Sequence, residues 1–168
     1  FTDAVGYVYG MFDRTVHMRR LPSEDPEDYD LRVGGIDPGM RDPYAVGIWG
    51  RCNGIWYQLW EYHTTGQSST RLAPLFLEQQ EKWDVQQWFV DKRSPSHIQD
   101  LRDAGVKATP NIDVHAENDT RTIPVMVAFC RELLRSGKLF IGEEHEWTAE
   151  EFEKYHYPDE SDINPKNS

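Results

Sequence analysis

The order of strand and helix patterns is the feature that most constrains the fold of this chain. Three short apolar segments separated by turns come first and predict an antiparallel meander. From residue 68 onward, helical and strand patterns alternate. A chain that runs antiparallel first and then alternates in this way forms a mixed sheet with helices on both faces. The predicted strands are 31–37, 44–49, 55–62, 85–91, 106–109 and 138–141, and the predicted helices are about 68–83, 94–104 and 120–136.

The segments outside this alternating part are less regular. Residues 5–12 and 16–20 look like two short strands joined by a turn, whereas the acidic, proline-containing loop 22–30 is too polar to supply a core element. Thr148 and Glu151 have capping-box spacing and predict a final helix. We therefore expect a single domain over residues 1–168, with leading strands and an acidic loop at 1–30, a core at 31–157 and a flexible tail at 158–168.

Two aspartates stand at the ends of predicted strands. Right-handed crossovers place the fourth strand beside the first, so Asp37 and Asp91 should emerge at the same sheet edge. Neighbouring carboxylates repel each other unless a cation or proton lies between them, and Mg²⁺ prefers such oxygen ligands. We therefore expect a metal site that hydrolyses phosphodiesters with two ions. Asp42, close by, is a candidate additional ligand. Each of the three also has the local sequence of an ordinary turn residue.

Basic residues near these aspartates are candidate DNA contacts. Arg41, Lys92, Arg93 and Lys107 could bind phosphates, although each is equally well explained as a solvated surface residue. The glycines at 34, 35 and 39 would let a nucleic-acid backbone approach closely.

The charge and motif content narrow the function classes. A net charge of −11 argues against gripping nucleic acid by bulk electrostatics. Most of the excess lies in two acidic runs, at 24–30 and 143–162, so the rest of the chain is about neutral and compatible with a local DNA surface. There is no GxxxxGK[ST] motif for ATP, no HxxxH spacing for a metal, and no apolar run near the ~20 residues of a membrane span.

Four segments together resemble the large terminase subunits of tailed bacteriophages, in the order and spacing of the nuclease part of that family. They are VYGMFDRTVH (8–17), VGGIDPGMRDPYAVGIW (33–49), WFVDKRSPSHIQDLRDAGV (88–106) and the helix and strand of 122–141. The resemblance implies a ribonuclease H-like fold and metal-dependent endonucleolytic cutting of concatemeric double-stranded DNA during packaging. In it, Asp37 and Asp91 match the two metal-binding aspartates, and Asp42 matches the aspartate of an Asp-Pro step.

The same resemblance implies cofactors and partners. Mg²⁺ or Mn²⁺ would be the cofactor, and an ATPase domain would precede this piece in the same polypeptide. The portal and the small terminase subunit would be partners, in the host-cell cytoplasm, without secretion or membrane binding. The third carboxylate of the family belongs to a late motif that we expect beyond Ser168. Asp159 or Asp162 could replace it only if the tail folds back.

Two alternatives remain open at this level. The chain could be another ribonuclease H-like nuclease, of the resolvase or transposase type, which would prefer branched junctions or RNA–DNA hybrids. It could instead be a catalytically impaired docking module of the packaging machine. The acidic net charge and the missing third carboxylate favour this alternative, which predicts no dependence on metal.

Overall fold

One mixed sheet organises the molecule. The computed structural model describes residues 6–39, 42–111 and 122–157, and in that part six strands lie in the order β5-β4-β1-β2-β3-β6. The strands are β1 (Leu31–Asp37), β2 (Tyr44–Cys52), β3 (Ile55–Thr64), β4 (Gln87–Val90), β5 (Ala108–Pro110) and β6 (Leu139–Phe140). The helices are α1 (Arg14–His17), α2 (Ser69–Lys82), α3 (Pro95–Asp103), α4 (Thr122–Arg135) and α5 (Glu146–Lys154). The predicted α/β, ribonuclease H-like architecture is confirmed.

The antiparallel part of the sheet is longer than its sequence pattern indicated. β2 and β3 continue to a two-residue turn at Asn53 and Gly54, both with positive φ (52° and 76°), which matches the twist of a hairpin. Gly50, predicted as part of the turn, lies inside β2, where it is paired with Arg32 of β1 and Tyr57 of β3 and where the Tyr29 ring packs against it. An added Cβ at Gly50 would lie 2.8 Å from the Cδ1 atom of Tyr29.

Helical crossovers bring β4 beside β1, as predicted. The two strands are parallel, with Ile36 opposite Val90. Ser68 caps α2 by accepting the Arg71 N–H, and Gly105 ends the α3 segment at a φ of +99°. Helices α2 and α3 lie on the face that carries the main core. Its largest fully buried members include Trp88, Tyr29, Tyr44, Phe76, Ile48 and Leu101.

The leading strands predicted at 5–12 and 16–20 are wrong for the described residues. Instead, Asp13 caps the short helix α1 by accepting the Thr15 N–H. His17, which is buried, accepts the Asp13 N–H at Nδ1 and contacts the Leu134 carbonyl through Nε2. Among the described residues, β pairing of this segment is limited to two isolated bridges, and its apolar residues pack against α4 and α5.

The capping box predicted for the last helix is also wrong. Helix α5 begins at Glu146, two residues before Thr148. Its first N–H groups are satisfied from another element: Glu61 of β3 accepts the backbone N–H groups of Trp147 and Thr148 at 3.2 and 2.8 Å. A carboxylate at a helix N-terminus is stabilising, whichever element supplies it.

The acidic loop 22–30 contributes more than predicted. It contains one 3₁₀ turn, Pro26–Asp28, and then Tyr29, which is completely buried. The Tyr29 hydroxyl donates to the Ser23 carbonyl, so the ring enters the core without an unpaired polar atom. Among the described helices none has the length and apolar character that a membrane crossing needs.

Candidate functional site

Asp37 and Asp91 lie side by side, as predicted. Asp37 is the last residue of β1, and Asp91 directly follows β4. Because Ile36 and Val90 are partners in the parallel register, the next residues of both strands leave the sheet at the same edge. The two carboxylates are close enough for the charge of Asp91 to raise the pKa of Asp37.

Asp91 already has a cationic partner. The Arg93 guanidinium donates from Nε to both carboxylate oxygens at 3.1 Å and from Nη2 to Oδ2 at 2.8 Å. The Arg93 backbone N–H also donates to Oδ1, at 2.9 Å. These hydrogen bonds hold the pKa of Asp91 below its usual range. The Arg93 side chain itself is 78% exposed, so this ion pair lies at the protein surface.

Asp37 lies in the opposite electrostatic environment. Partial burial raises its pKa first, and the charges of Asp91 and then Asp42 raise it further, while Arg93 acts against them. Asp37 nevertheless remains accessible to solvent. No hydrogen bond compensates its charge among the contacts of the described residues. Within the described residues, the Asp91 carboxylate therefore accepts hydrogen bonds that offset its charge, whereas the Asp37 carboxylate accepts none.

A large cleft opens beside the two aspartates. Its volume is about 990 Å³, and it lies between one face of the sheet and helices α4 and α5. One end is polar, and the remainder is mainly apolar. Its lining comprises Gly35, Ile36, Asp37, Ala45, Val46, Gly47, Trp49, Gln58, Phe89, Val90, Asp91, Lys92, Arg93, Asn111, Met126, Trp147 and Thr148.

The predicted basic residues do not all come together. Lys92 and Arg93 line the cleft, whereas Lys107 precedes β5 at the opposite end of the sheet from Asp91. Arg41 lies outside the described residues. Asn111, which the sequence analysis missed, accepts the Lys92 N–H at 2.8 Å and so holds the loop after β4. Its position two residues after the predicted strand 106–109 was the available signal.

The three glycines near Asp37 have different roles. A Cβ at Gly34 would lie 2.1 Å from the Trp88 ring, on the core face, so this glycine makes room for packing. A Cβ at Gly39 would lie 2.2 Å from the Asp42 carbonyl oxygen, so this glycine allows the Asp42 backbone to approach closely. Only Gly35 leaves open space at the cleft. The prediction that all three admit a nucleic-acid backbone is therefore wrong for Gly34 and Gly39.

The described residues do not complete a metal-ligand cluster by themselves. No group of three or more His, Cys, Asp or Glu side chains is arranged around one point within them. Asp42 is exposed and contributes its charge at Asp37 without lining the cleft. Asp159 and Asp162, the possible substitutes for a third carboxylate, lie outside the described residues.

The chain has the fold of the nuclease part of phage large terminases. It superposes on the large terminase of one thermophilic bacteriophage with a TM-score of 0.76 at 22% identity, covering 93% of this chain and 38% of that one. The nuclease domain of the P22 large terminase gives 0.72 at 13% identity, covering 99% and 91%. The large terminase nuclease of a second thermophilic phage, G20c, with bound cobalt gives 0.68 at 13% identity, covering 95% and 86%. This chain thus spans a little over a third of the first of these terminases. No protein-family model matches the sequence, and no curated protein matches it significantly.

Proposed function

We propose that this chain is a metal-dependent endonuclease domain that cuts double-stranded DNA, as part of the large terminase of a viral packaging machine. The observation that carries the proposal is the pair Asp37 and Asp91 at neighbouring parallel strand ends, at the polar end of an open cleft. The shared fold with the P22 and G20c nuclease domains supports it. Residues 1–168 would form one domain of that machine.

The aspartate pair fits a divalent cation. Partial burial and the neighbouring charge of Asp91 raise the pKa of Asp37, and a bound cation would offset that repulsion. Mg²⁺ usually takes one or two carboxylates and completes its shell with water and substrate phosphate, so two described carboxylates suffice to begin a site. Mg²⁺ or Mn²⁺ would be held by Asp37 and Asp91, with Asp42 as a further candidate. The cobalt bound to the G20c nuclease agrees with such a site.

Each side chain then has a definable task. When bound, the metal would supply Lewis acidity at the scissile phosphate and lower the pKa of the attacking water. Asp37 and Asp91, at the adjacent ends of β1 and β4, would hold that metal, and the metal would in turn hold the reacting phosphate. Arg93 donates to both oxygens of Asp91, so a cation bound by that carboxylate would compete with the guanidinium for them. A guanidinium released in this way would be available to a DNA phosphate beside Lys92.

The role of the whole protein extends the same proposal. The first of the three terminases above was also solved with ATP-γ-S, and this chain covers only 39% of it. We propose that an ATPase domain precedes the nuclease in the same polypeptide and that the portal and small terminase subunit are its partners. Packaging would take place in the host-cell cytoplasm.

A supercoiled-plasmid assay tests the proposal. With Mg²⁺ or Mn²⁺ the chain should nick or linearise the plasmid, and EDTA should stop it. Asp37→Asn and Asp91→Asn should each lower the rate at least about 100-fold, since even outer partners of metal sites are worth 10–100-fold. Asp100→Asn, at an exposed position of α3, is the matched control and should cut normally.

The alternatives predict different results in that assay. A strong preference for branched junctions or RNA–DNA hybrids over plain duplex would favour a resolvase-type or related nuclease. Cutting that is unaffected by both aspartate variants would contradict the proposed site. Absence of metal-dependent cutting, also in a chain extended beyond Ser168, would favour the docking module.

A further inference from the structure

We propose that the apolar part of the cleft beside Asp37 and Asp91 is a nucleobase pocket, which holds one unstacked base of the DNA strand being cut. This inference rests on the proposed function and adds a substrate feature to it: the nuclease acts where a base leaves the stack next to the scissile phosphate.

Planar and polarizable side chains line this part of the cleft. Trp49, Phe89, Trp147 and Met126 all contribute to its surface. Such walls offer no favourable contact to an anionic DNA backbone. Any of the four bases, in contrast, gains binding free energy by stacking on aromatic rings. At about 990 Å³ the cleft is at the upper end of the range for small-molecule sites, so a nucleotide fits with room for the adjoining strand.

The floor of the cleft is made of residues without long side chains. Gly35 and Gly47 are opposite each other on β1 and β2, and Ala45 follows opposite Asp37. A Cβ at Gly35 would meet nothing within 4 Å, which shows open space above this strand. Gly35 precedes Asp37 by two residues, or roughly 7 Å along the strand. Within one nucleotide, the sugar can span this distance, so that the phosphate lies at the aspartates and the base lies above the glycines.

One aromatic wall is held in place before any ligand arrives. The Trp147 ring stacks on His63, with centroids 4.8 Å apart and planes 12° from parallel. The Trp147 backbone N–H is fixed by the Glu61 carboxylate. A ring that is supported from behind and anchored at its backbone can stack on a base with little loss of side-chain entropy.

A buried amide at the cleft lacks one hydrogen-bond partner. Gln58 is 3% exposed and lines the cleft. Thr148 donates its only hydroxyl proton to Glu61 at 2.6 Å, so it must accept from Gln58, whose Nε2 lies 2.9 Å away. This chain of bonds fixes the amide orientation and leaves Gln58 Oε1 without a donor among the described residues. Because this oxygen is not accessible to solvent, a base would not bond to it directly, and the fixed amide forms part of the wall on which the base packs.

The test compares binding of two short duplexes that differ only in one base. Both are fluorescently labelled and have the same sequence, but one carries a single unpaired thymine and the other an abasic residue at that position. Ca²⁺ replaces Mg²⁺ so that binding is measured without cutting. The unpaired thymine should bind about 5- to 100-fold more tightly than the abasic residue, the range expected for stacking one base.

Variants connect that preference to the cleft. Gly35→Val fills the floor without meeting protein atoms at its Cβ, so it should fold normally by circular dichroism and lose the preference. Met126→Ala, which shortens an exposed apolar side chain of the cleft wall, should reduce it. Gln99→Met, at an exposed position of α3, is the control and should retain it.

Each outcome decides the matter. Equal affinity for the two duplexes, or a preference that Gly35→Val leaves intact, would overturn the pocket. Competition by free thymidine monophosphate as strong as that of the unpaired duplex would show a site for free nucleotides and overturn the strand-borne base. If the pocket fails while plasmid cutting still depends on Asp37, the proposed function stands; loss of both would remove the nuclease assignment as well.

Discussion

At the residue scale, Asp37 and Asp91 show how position divides two identical side chains into different states. Asp91 turns back onto its own loop and receives the Arg93 guanidinium, so its pKa falls. Asp37 ends its strand with the cleft wall beside it and two other carboxylates nearby, so its pKa rises. Titratable groups whose surroundings push their pKa values apart are typical of functional sites.

This difference predicts opposite effects on stability. As pH rises through 3.8, the usual value, unfolded Asp37 ionises while the folded carboxyl keeps its proton until its raised pKa is reached. The folded state therefore loses stability over that window, and Asp37→Asn should unfold at a higher temperature than the unchanged chain at neutral pH without metal. The advantage should vanish in acid.

Asp91 should behave in the reverse way. Its lowered pKa means that the pair with Arg93 adds stability above 3.8, and this contribution is lost as pH falls through the lowered value. Asp91→Asn should therefore lower the melting temperature at neutral pH, and less so in acid. Thermal unfolding in EDTA across this pH range measures both variants. A shift of the same sign for both would contradict the assignment of environments.

At the element scale, successive residues of β1 face opposite sides of the sheet, so one side of the strand packs in the core and the other is open to the cleft. Gly34 faces α2 and α3 through Trp88, and Gly35 faces the cleft. Adjacent glycines that look alike in the sequence therefore serve different faces of the sheet. The register with β2 and β4 decides which of them meets a side chain.

A pair of alanine substitutions tests this division. Gly34→Ala places a methyl group 2.1 Å from a Trp88 ring carbon and should destabilise the fold by about 1–3 kcal/mol or more, the cost of overpacking. Gly35→Ala meets no atom within 4 Å and should be neutral or stabilising by about 0.5–1 kcal/mol. Urea unfolding compares the two; equal losses would show that Gly35 is also packed.

At the scale of the whole molecule, charge limits how the proposed DNA substrate can be held. With a net charge of −11 and with Lys92 and Arg93 as the described cations at the cleft, we expect only a few phosphate contacts. When the logarithm of the binding constant for duplex DNA is plotted against the logarithm of the salt concentration, the slope should be about −2 to −3. Each phosphate contact contributes roughly −0.9 to that slope.

Two substitutions locate those contacts. Arg93→Gln should make the slope shallower by about 0.9, whereas Lys107→Gln, at the far end of the sheet, should leave it unchanged. Fluorescence anisotropy between about 50 and 200 mM salt gives both slopes. An equal change for the two variants would mean that DNA runs along the sheet and not only across the edge that carries Asp37 and Asp91.

The sequence by itself determined the strand–helix order, and with it the neighbourhood of Asp37 and Asp91. The alternating and helical patterns of apolar residues are local signals, and so are the helix cap Ser68 and the helix-ending Gly105. The right-handedness of crossovers then converts the order of these elements into a sheet topology. Tertiary structure alone decided what depends on contacts distant in sequence. Examples are the cap that Glu61 gives to α5 and the helix α1 in place of strands, because apolar segments take the shape that their packing partners permit. The aromatic cleft belongs to this second group, since its walls come from four separate elements that no local pattern connects.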